Sequence, residues 1–267
     1  MSLFHLFLLA VVQGLTEFLP ISSSGHLILL PWVMDVPDQG LAIDVAVHVG
    51  TLGAVMLYFR REVAQLWRGT GHVLTGRFAT PEARLLLLLA IATVPVVIAG
   101  LILKVTGLAE AMRSIAVIGW AMLGFGLLLY WADQRGPTEK RMAGWNLRDA
   151  VVMGLWQAVA LIPGTSRSGI TITASRMLGY DRSDGARIAM LMSIPTIVAS
   201  GVLLGADVVG QADWTTLREG AIGAAFAFAA AYLALAFMMA LLRSVSFTPY
   251  VVYRVLLGLV LLGYAYF

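Results

Sequence analysis

Six apolar runs, at Ile43–Phe59, Leu85–Val105, Ile115–Ala132, Ile188–Val208, Ala221–Leu242 and Tyr250–Phe267, dominate the chain. Each is about the 17–25 residues that an α-helix needs to cross a hydrocarbon core. No water is present there to satisfy backbone groups, so runs of this kind restrict the chain to membrane-spanning helices. Composition agrees: 60% of the 267 residues are apolar and 12% are charged, with a mean hydropathy of +0.86. Soluble domains carry about 25% charge. Such a chain cannot be a soluble globule or a disordered segment, and with no Cys it is not a disulfide-stapled module. The expected fold is all-α, a polytopic integral membrane protein forming one transmembrane domain over residues 1–267, with no room for a soluble domain. The first 19 residues hold no Lys or Arg, so the basic start of a cleavable leader is missing and the first stretch is expected to remain.

Two further apolar segments are interrupted. Ser2–Leu19 stops at Pro20, and after Ile21-Ser22-Ser23-Ser24-Gly25-His26 a short run, Leu27–Met34, reaches Asp35. Ala150–Ile162 breaks at Pro163-Gly164-Thr165-Ser166-Arg167-Ser168-Gly169, followed by Ile170–Leu178. The short runs cannot span a bilayer, so each pair reads as a re-entrant helical hairpin. At an offset of 144 residues Gln13 falls on Gln157, Ser22 on Ser166, Ser24 on Ser168 and Gly25 on Gly169. Each half, about 1–132 and 146–267, is then one broken segment followed by three spans. Three is odd, so the second half enters from the opposite face. The result is an inverted-topology repeat, in which broken helices meet at the site.

Basic residues set the orientation. Arg60, Arg61, Arg68, Arg77 and Arg84 fall in a loop at 60–84; Arg135, Lys140, Arg141 and Arg148 fall at 133–149; Arg182, Arg187 and Arg243 lie on the same side. The opposite loops hold Lys104, Arg113 and Arg218. The positive-inside rule makes the basic loops cytoplasmic and places the termini and the first hairpin outside. The net charge of +3 is used by this bias and calls for no nucleic-acid partner.

Polar groups at membrane depth carry the chemistry. An acidic residue there costs about 2.5–3.5 kcal/mol on insertion scales, so Glu17 is the first candidate, as a metal ligand or proton acceptor. Gln13, one turn earlier, shares its face. Ser22, Ser23, Ser24 and Gly25 open a short helix whose N-terminus favours an anion, although a single Ser would also serve as an ordinary cap. His26, three residues beyond Ser23, is a candidate base for it. Arg167, flanked by Thr165, Ser166, Ser168 and Gly169, offers a guanidinium fork to phosphate oxygens. Arg176 reads better as a snorkelling side chain at a helix end. Asp44 and His48, one turn apart, read as supporting groups or a cation site. Together the set suits a phosphate ester with a divalent cation, Mg²⁺ commonly bridging one or two carboxylates and substrate phosphates. An acid-phosphatase mechanism built on Ser-Gly-His and a second, nucleophilic His after Ser-Arg is excluded, because no His follows His72.

The run Gln13-Gly14-Leu15-Thr16-Glu17-Phe18-Leu19-Pro20-Ile21-Ser22-Ser23-Ser24-Gly25-His26-Leu27, with Pro163-Gly164-Thr165-Ser166-Arg167-Ser168-Gly169, resembles the undecaprenyl-pyrophosphate phosphatase family of the bacitracin-resistance type. Length, hydropathy and motif separation agree over essentially the whole chain. The resemblance implies a multi-pass hydrolase of the bacterial cytoplasmic (inner) membrane that removes the terminal phosphate of undecaprenyl pyrophosphate. It would thereby recycle the carrier lipid for peptidoglycan synthesis and confer bacitracin resistance. It further implies a divalent cation (Mg²⁺ or Ca²⁺) and a site opening to the periplasm. By the same resemblance the acidic motif falls on Gln13 and Glu17, the hydroxyl-and-imidazole motif on Ser22, Ser23 and His26, and the phosphate-binding Arg on Arg167. Many members have Glu where this chain has Gln13, which leaves Glu17 as the essential carboxylate. Either Ser23 or a water serves as nucleophile. The rival reading is a lipid-phosphate transporter or flippase, since inverted repeats with broken helices are usual there. Gly-rich stretches such as Gly119–Gly126 allow close packing within one chain or in a homodimer.

Overall fold

The computed structural model describes residues 1–208 and 213–267, with side chains described up to Gly205 in the first stretch. Helix accounts for nearly all regular structure among these residues; Lys140 and Tyr180 form one isolated bridge. In chain order the helices are α1 (Leu3–Phe18), α2 (Ser23–Met34), α3 (Leu41–Tyr58), α4 (Arg60–Leu74), α5 (Pro81–Thr106), α6 (Leu108–Ala111), α7 (Ile115–Arg135), α8 (Leu147–Val159), α9 (Arg167–Met177), α10 (Arg182–Val208), α11 (Trp214–Leu241) and α12 (Thr248–Tyr266). Six of them, α3, α5, α7, α10, α11 and α12, are long and apolar enough to cross a membrane. They coincide with the six apolar runs. Their outward faces carry large apolar side chains at helical spacing, such as Val94, Ile98, Leu101, Ile102 and Val105 on α5 and Val252, Leu256, Leu259 and Val260 on α12. Water would reject such stripes; lipid accepts them.

The four helices that flank the two breaks, α1, α2, α8 and α9, are short. At 1.5 Å per residue, α1 with 16 residues and α8 with 13 reach about four-fifths and two-thirds of the way across a 30 Å core. α1 packs against α2 and α8 against α9, each pair joined through its break. The first short helix begins at Ser23, with the serines at its start as expected, and the Ser22 side chain caps it. The stretch 60–84, expected to be a loop, instead contains α4. Its apolar residues recur at helical spacing along one side of an amphipathic helix lying along α5, and an apolar-run reading does not register such a pattern.

Packing relies on small residues, as expected where lipid removes the hydrophobic drive between helices. A methyl group added at Gly154 of α8 would sit 2.6 Å from the Ala92 carbonyl oxygen of α5, and one at Gly14 of α1 would sit 2.7 Å from the Ala227 carbonyl oxygen of α11. These two short helices are thus each pressed onto a long helix of the other half. Gly119 and Gly126 of α7 face Gly258 and Arg254 of α12, so this small-residue stripe is used within the chain.

Candidate active site

Both breaks are built in the same way. Ser22 and Ser166 hold φ of 75° and 70°, a left-handed conformation that side chains rarely adopt. Each then caps the helix that follows, its Oγ accepting from the amide of Gly25 or Gly169 at 3.4 and 3.1 Å. Capping therefore accounts for these two hydroxyls and these two amides. The partner serines differ. Ser24 is exposed, within 3.4 Å of Ser22 Oγ. Ser168 is buried and donates across to the Leu19 carbonyl at 3.0 Å. One hydroxyl remains open to a ligand; the other ties the two breaks together.

The breaks converge on Glu17. Its Oε1 accepts from Arg167 Nη2 at 2.7 Å, and its Oε2 accepts from Ser23 Oγ at 2.7 Å and from Gln13 Nε2 at 3.0 Å. His48 Nε2 stands 3.7 Å from the same oxygen. A hydroxyl from α2, an imidazole from α3 and a guanidinium from α9, all partly buried, thus gather around one buried carboxylate from α1. Three buried polar atoms beside it lack a partner: Gln13 Oε1, Thr165 Oγ1 and Arg167 Nη1. An acceptor on Gln13 and a cationic donor on Arg167, both side chains bonded to Glu17, call for a ligand when left unsatisfied, since each would otherwise cost about 1–3 kcal/mol.

His26 does not reach Ser23. One turn of helix aims its Nδ1 at the Ser22 carbonyl, 2.6 Å away, and its Nε2 meets the Tyr253 hydroxyl at 2.6 Å with the two rings stacked. The Nδ1 proton goes to the carbonyl, so Nε2 accepts from the tyrosine. The group bonded to Ser23 is Glu17, not the imidazole. Asp44 lies away from the cluster, accepting from Gln39 at 2.8 Å, while its backbone carbonyl holds His48 Nδ1 at 2.7 Å.

Two arginines correct the sequence reading. Arg176 does not snorkel: it is fully buried and donates to the carbonyls of Asp133, Gly136, Pro137 and Tyr180, with the Asp133 carboxylate 3.4 Å from its Nε. Arg254, inside the last span, was not singled out by sequence. It is completely buried and donates to the carbonyls of Pro20 (3.2 Å), Ala121 (3.3 Å), Met122 (3.2 Å), Gly164 (3.1 Å) and Thr165 (2.9 Å). Pro20 belongs to one break, Gly164 and Thr165 to the other. The signal was there to read, a charge in the middle of an apolar run.

Among the described residues no three His, Cys, Asp or Glu side chains gather as a metal cage. The donors nevertheless suit a hard cation shared with a ligand. Glu17 offers a carboxylate and Gln13 an orphaned amide oxygen, and Mg²⁺ commonly takes one or two protein oxygens with the rest from water and phosphates.

An α-helical, multi-pass membrane protein with one carboxylate, one serine and one guanidinium gathered where two broken helices meet is a membrane protein equipped for a phosphorylated lipid. Comparison with known proteins gives the family. Residues 6–260 match the model of the bacitracin resistance protein BacA family, and the chain belongs to that family. It is 69% identical over 266 residues to an undecaprenyl-diphosphatase of Jannaschia sp. (strain CCS1), covering 100% of both chains. It is 67% identical to that of Ruegeria pomeroyi, again over 100% of both, and 47% identical, over 98% of both, to that of Chromohalobacter salexigens.

Proposed function

We propose that the chain is an undecaprenyl-diphosphatase, cleaving the terminal phosphate from undecaprenyl diphosphate to release inorganic phosphate and the monophosphate carrier. Family membership and the printed names of full-length relatives support the activity. Those names are enzyme names and lend nothing to the transporter or flippase reading. The observation that carries the assignment of residues is the Glu17 carboxylate, which bonds Ser23 and Arg167 from opposite breaks at 2.7 Å each.

The chemistry follows from that geometry. The terminal phosphate docks on Arg167, whose Nη1 lacks a partner, and on the Thr165 hydroxyl. Arg167 then exchanges Glu17 for phosphate oxygens, and the freed carboxylate takes a proton from Ser23 Oγ or from a water in its place. The deprotonated oxygen attacks the terminal phosphorus in line. The bond from phosphorus to the bridging oxygen breaks, and its electron pair leaves with the lipid monophosphate. By the serine route, water afterwards hydrolyses the phosphoserine. Arg167 and the amides of both breaks stabilise the charge that develops. A divalent cation, Mg²⁺ or Ca²⁺, held by Glu17 and Gln13 Oε1, would neutralise diphosphate charge when bound. Gln13, Ser24, Gly25, Ser166, Ser168 and Gly169 shape the pocket rather than react, and His26 orients the first break.

In the same reading the two hairpins are re-entrant, the two halves form an inverted repeat, and the protein sits in the bacterial inner membrane with the site opening to the periplasm. The polyprenyl tail lies between helices in lipid. The test is phosphate release from undecaprenyl diphosphate in detergent, where no gradient exists. The wild type should turn over while folded Glu17→Ala and Arg167→Ala do not; a wild type silent there would restore the transporter reading. Ser23→Ala separates the nucleophiles: loss of activity with a trapped phosphoserine in the wild type supports serine, retained activity supports water.

A further inference from the structure

A second polar site lies far from Glu17, on the face that carries the basic loops. There the C-terminal ends of α3 and α11 meet the N-terminal ends of α4 and α10 around a cavity of about 400 Å³. Arg60 and Arg61 enter it from α4, Arg187 from α10 and Arg243 from just beyond α11. Two carboxylates share the cavity, and both are already engaged. Glu62 pairs with Arg187 at 2.8 Å, and Asp184 accepts from the Met142 amide at 2.9 Å. The side chains of Arg60, Arg61 and Arg243 have no hydrogen-bond or ion-pair partner among the described residues. An excess of two positive charges therefore faces one hollow, with the Ser183 hydroxyl beside it.

The rule that gathers positive charge on one membrane face explains why these residues are basic. It does not explain why residues from three elements, remote in sequence, line one cavity. The depth identifies the ligand. α3, α10 and α11 cross the bilayer, so their ends stand at headgroup level. Tyr58, Phe59 and Met239 add an apolar wall to the same cavity, fit for the start of an acyl chain. α4, which carries Arg60 and Arg61 at its start, is amphipathic, packs on α5 and leaves Trp67 and Leu74 exposed farther along, as a helix lying in the interface does. We propose that this cavity is a binding site for the headgroup of an anionic glycerophospholipid, its phosphodiester taken by Arg60, Arg61 and Arg243. Basic pockets between membrane helices bind such headgroups elsewhere. The site is separate from the catalytic cluster and does not depend on the reaction proposed above.

The full chain in detergent provides the test, read as the thermal-unfolding midpoint against added lipid. Phosphatidylglycerol should raise the midpoint saturably, as any ligand of the folded state does. Zwitterionic phosphatidylcholine should not at the same mole fraction. The triple variant R60Q/R61Q/R243Q should need on the order of 100-fold more phosphatidylglycerol for the same shift, at roughly a factor of five per arginine, while phosphate release from undecaprenyl diphosphate stays unchanged. Equal shifts from both lipids, or a triple variant as responsive as the wild type, overturn the proposal. Inorganic phosphate that matches or abolishes the shift at millimolar concentration assigns the site to the free ion and overturns the lipid. Should the triple variant not fold, R243Q alone, with bound lipids counted by native mass spectrometry, decides between retention of the phosphatidylglycerol and its loss.

Discussion

A carboxylate at membrane depth persists only where donors surround it, and Glu17 has three, from Gln13, Ser23 and Arg167. Its replacement by Gln keeps the size but removes the base and the charge facing Arg167. Glu17→Gln is expected to lower turnover by about 10²–10⁴-fold, the usual range for a general base, with the unfolding midpoint within a few degrees of wild type. Near-wild-type turnover would remove Glu17 from the mechanism. Gln13→Glu runs the other way. It places a second carboxylate about 3 Å from the first, so the Mg²⁺ concentration for half-maximal activity should fall severalfold; an unchanged value would separate Gln13 from any cation. Arg254 shows what spacing hides. The sequence places one charge in a span, whereas five carbonyl partners, three of them in the other half of the chain, emerge only on folding. A lysine has three donors, so Arg254→Lys strands at least two buried carbonyls and should cost about 2–6 kcal/mol. Thermal melts in detergent would register that loss together with reduced turnover, because both breaks lose their common clamp.

At the scale of elements, what the bilayer dictates was readable and what side chains decide was not. Apolar length alone located the six spans to within several residues at each end, since a backbone in hydrocarbon has few alternatives. Pro20 and Pro163, with the serines after them, marked both breaks. Invisible were α4, whose pattern is amphipathic, and the aim of His26, which spacing brings near Ser23 but which helix geometry turns to the Ser22 carbonyl. The strained serines were likewise hidden, because φ near +70° has no composition signature outside Gly and Asn. That strain makes a prediction of its own. Ser166→Gly loses the cap but relaxes the backbone, whereas Ser166→Ala loses the cap and keeps the strain at φ 70°. The alanine variant should be less stable than the glycine variant by about 1 kcal/mol or more, a ranking that paired thermal melts would check. The reverse order would mean that the break is held by its surroundings and not by Ser166.

For the whole molecule the decisive quantity is the asymmetry of charge between faces. Twelve Lys and Arg residues lie on one face, from Arg60 to Arg243, and only Lys104, Arg113 and Arg218 on the other. In the inverted repeat proposed above either orientation is open unless charge breaks the tie, and a bias this large is expected to select one. The two ends of α5 report on it, because Arg77 precedes the helix, Glu110 follows it, and both are exposed. The chain has no cysteine, so a single introduced thiol is an unambiguous marker. A membrane-impermeant maleimide applied to intact spheroplasts should label Glu110→Cys, and should label Arg77→Cys only after lysis. The opposite pattern would put the basic loops and the lipid-headgroup cavity outside, and would turn the mouth of the first hairpin, with Glu17 and Ser23 at its base, toward the cytoplasm. Labelling of both positions in intact spheroplasts would mean mixed insertion, in which case the charge bias does not govern this fold.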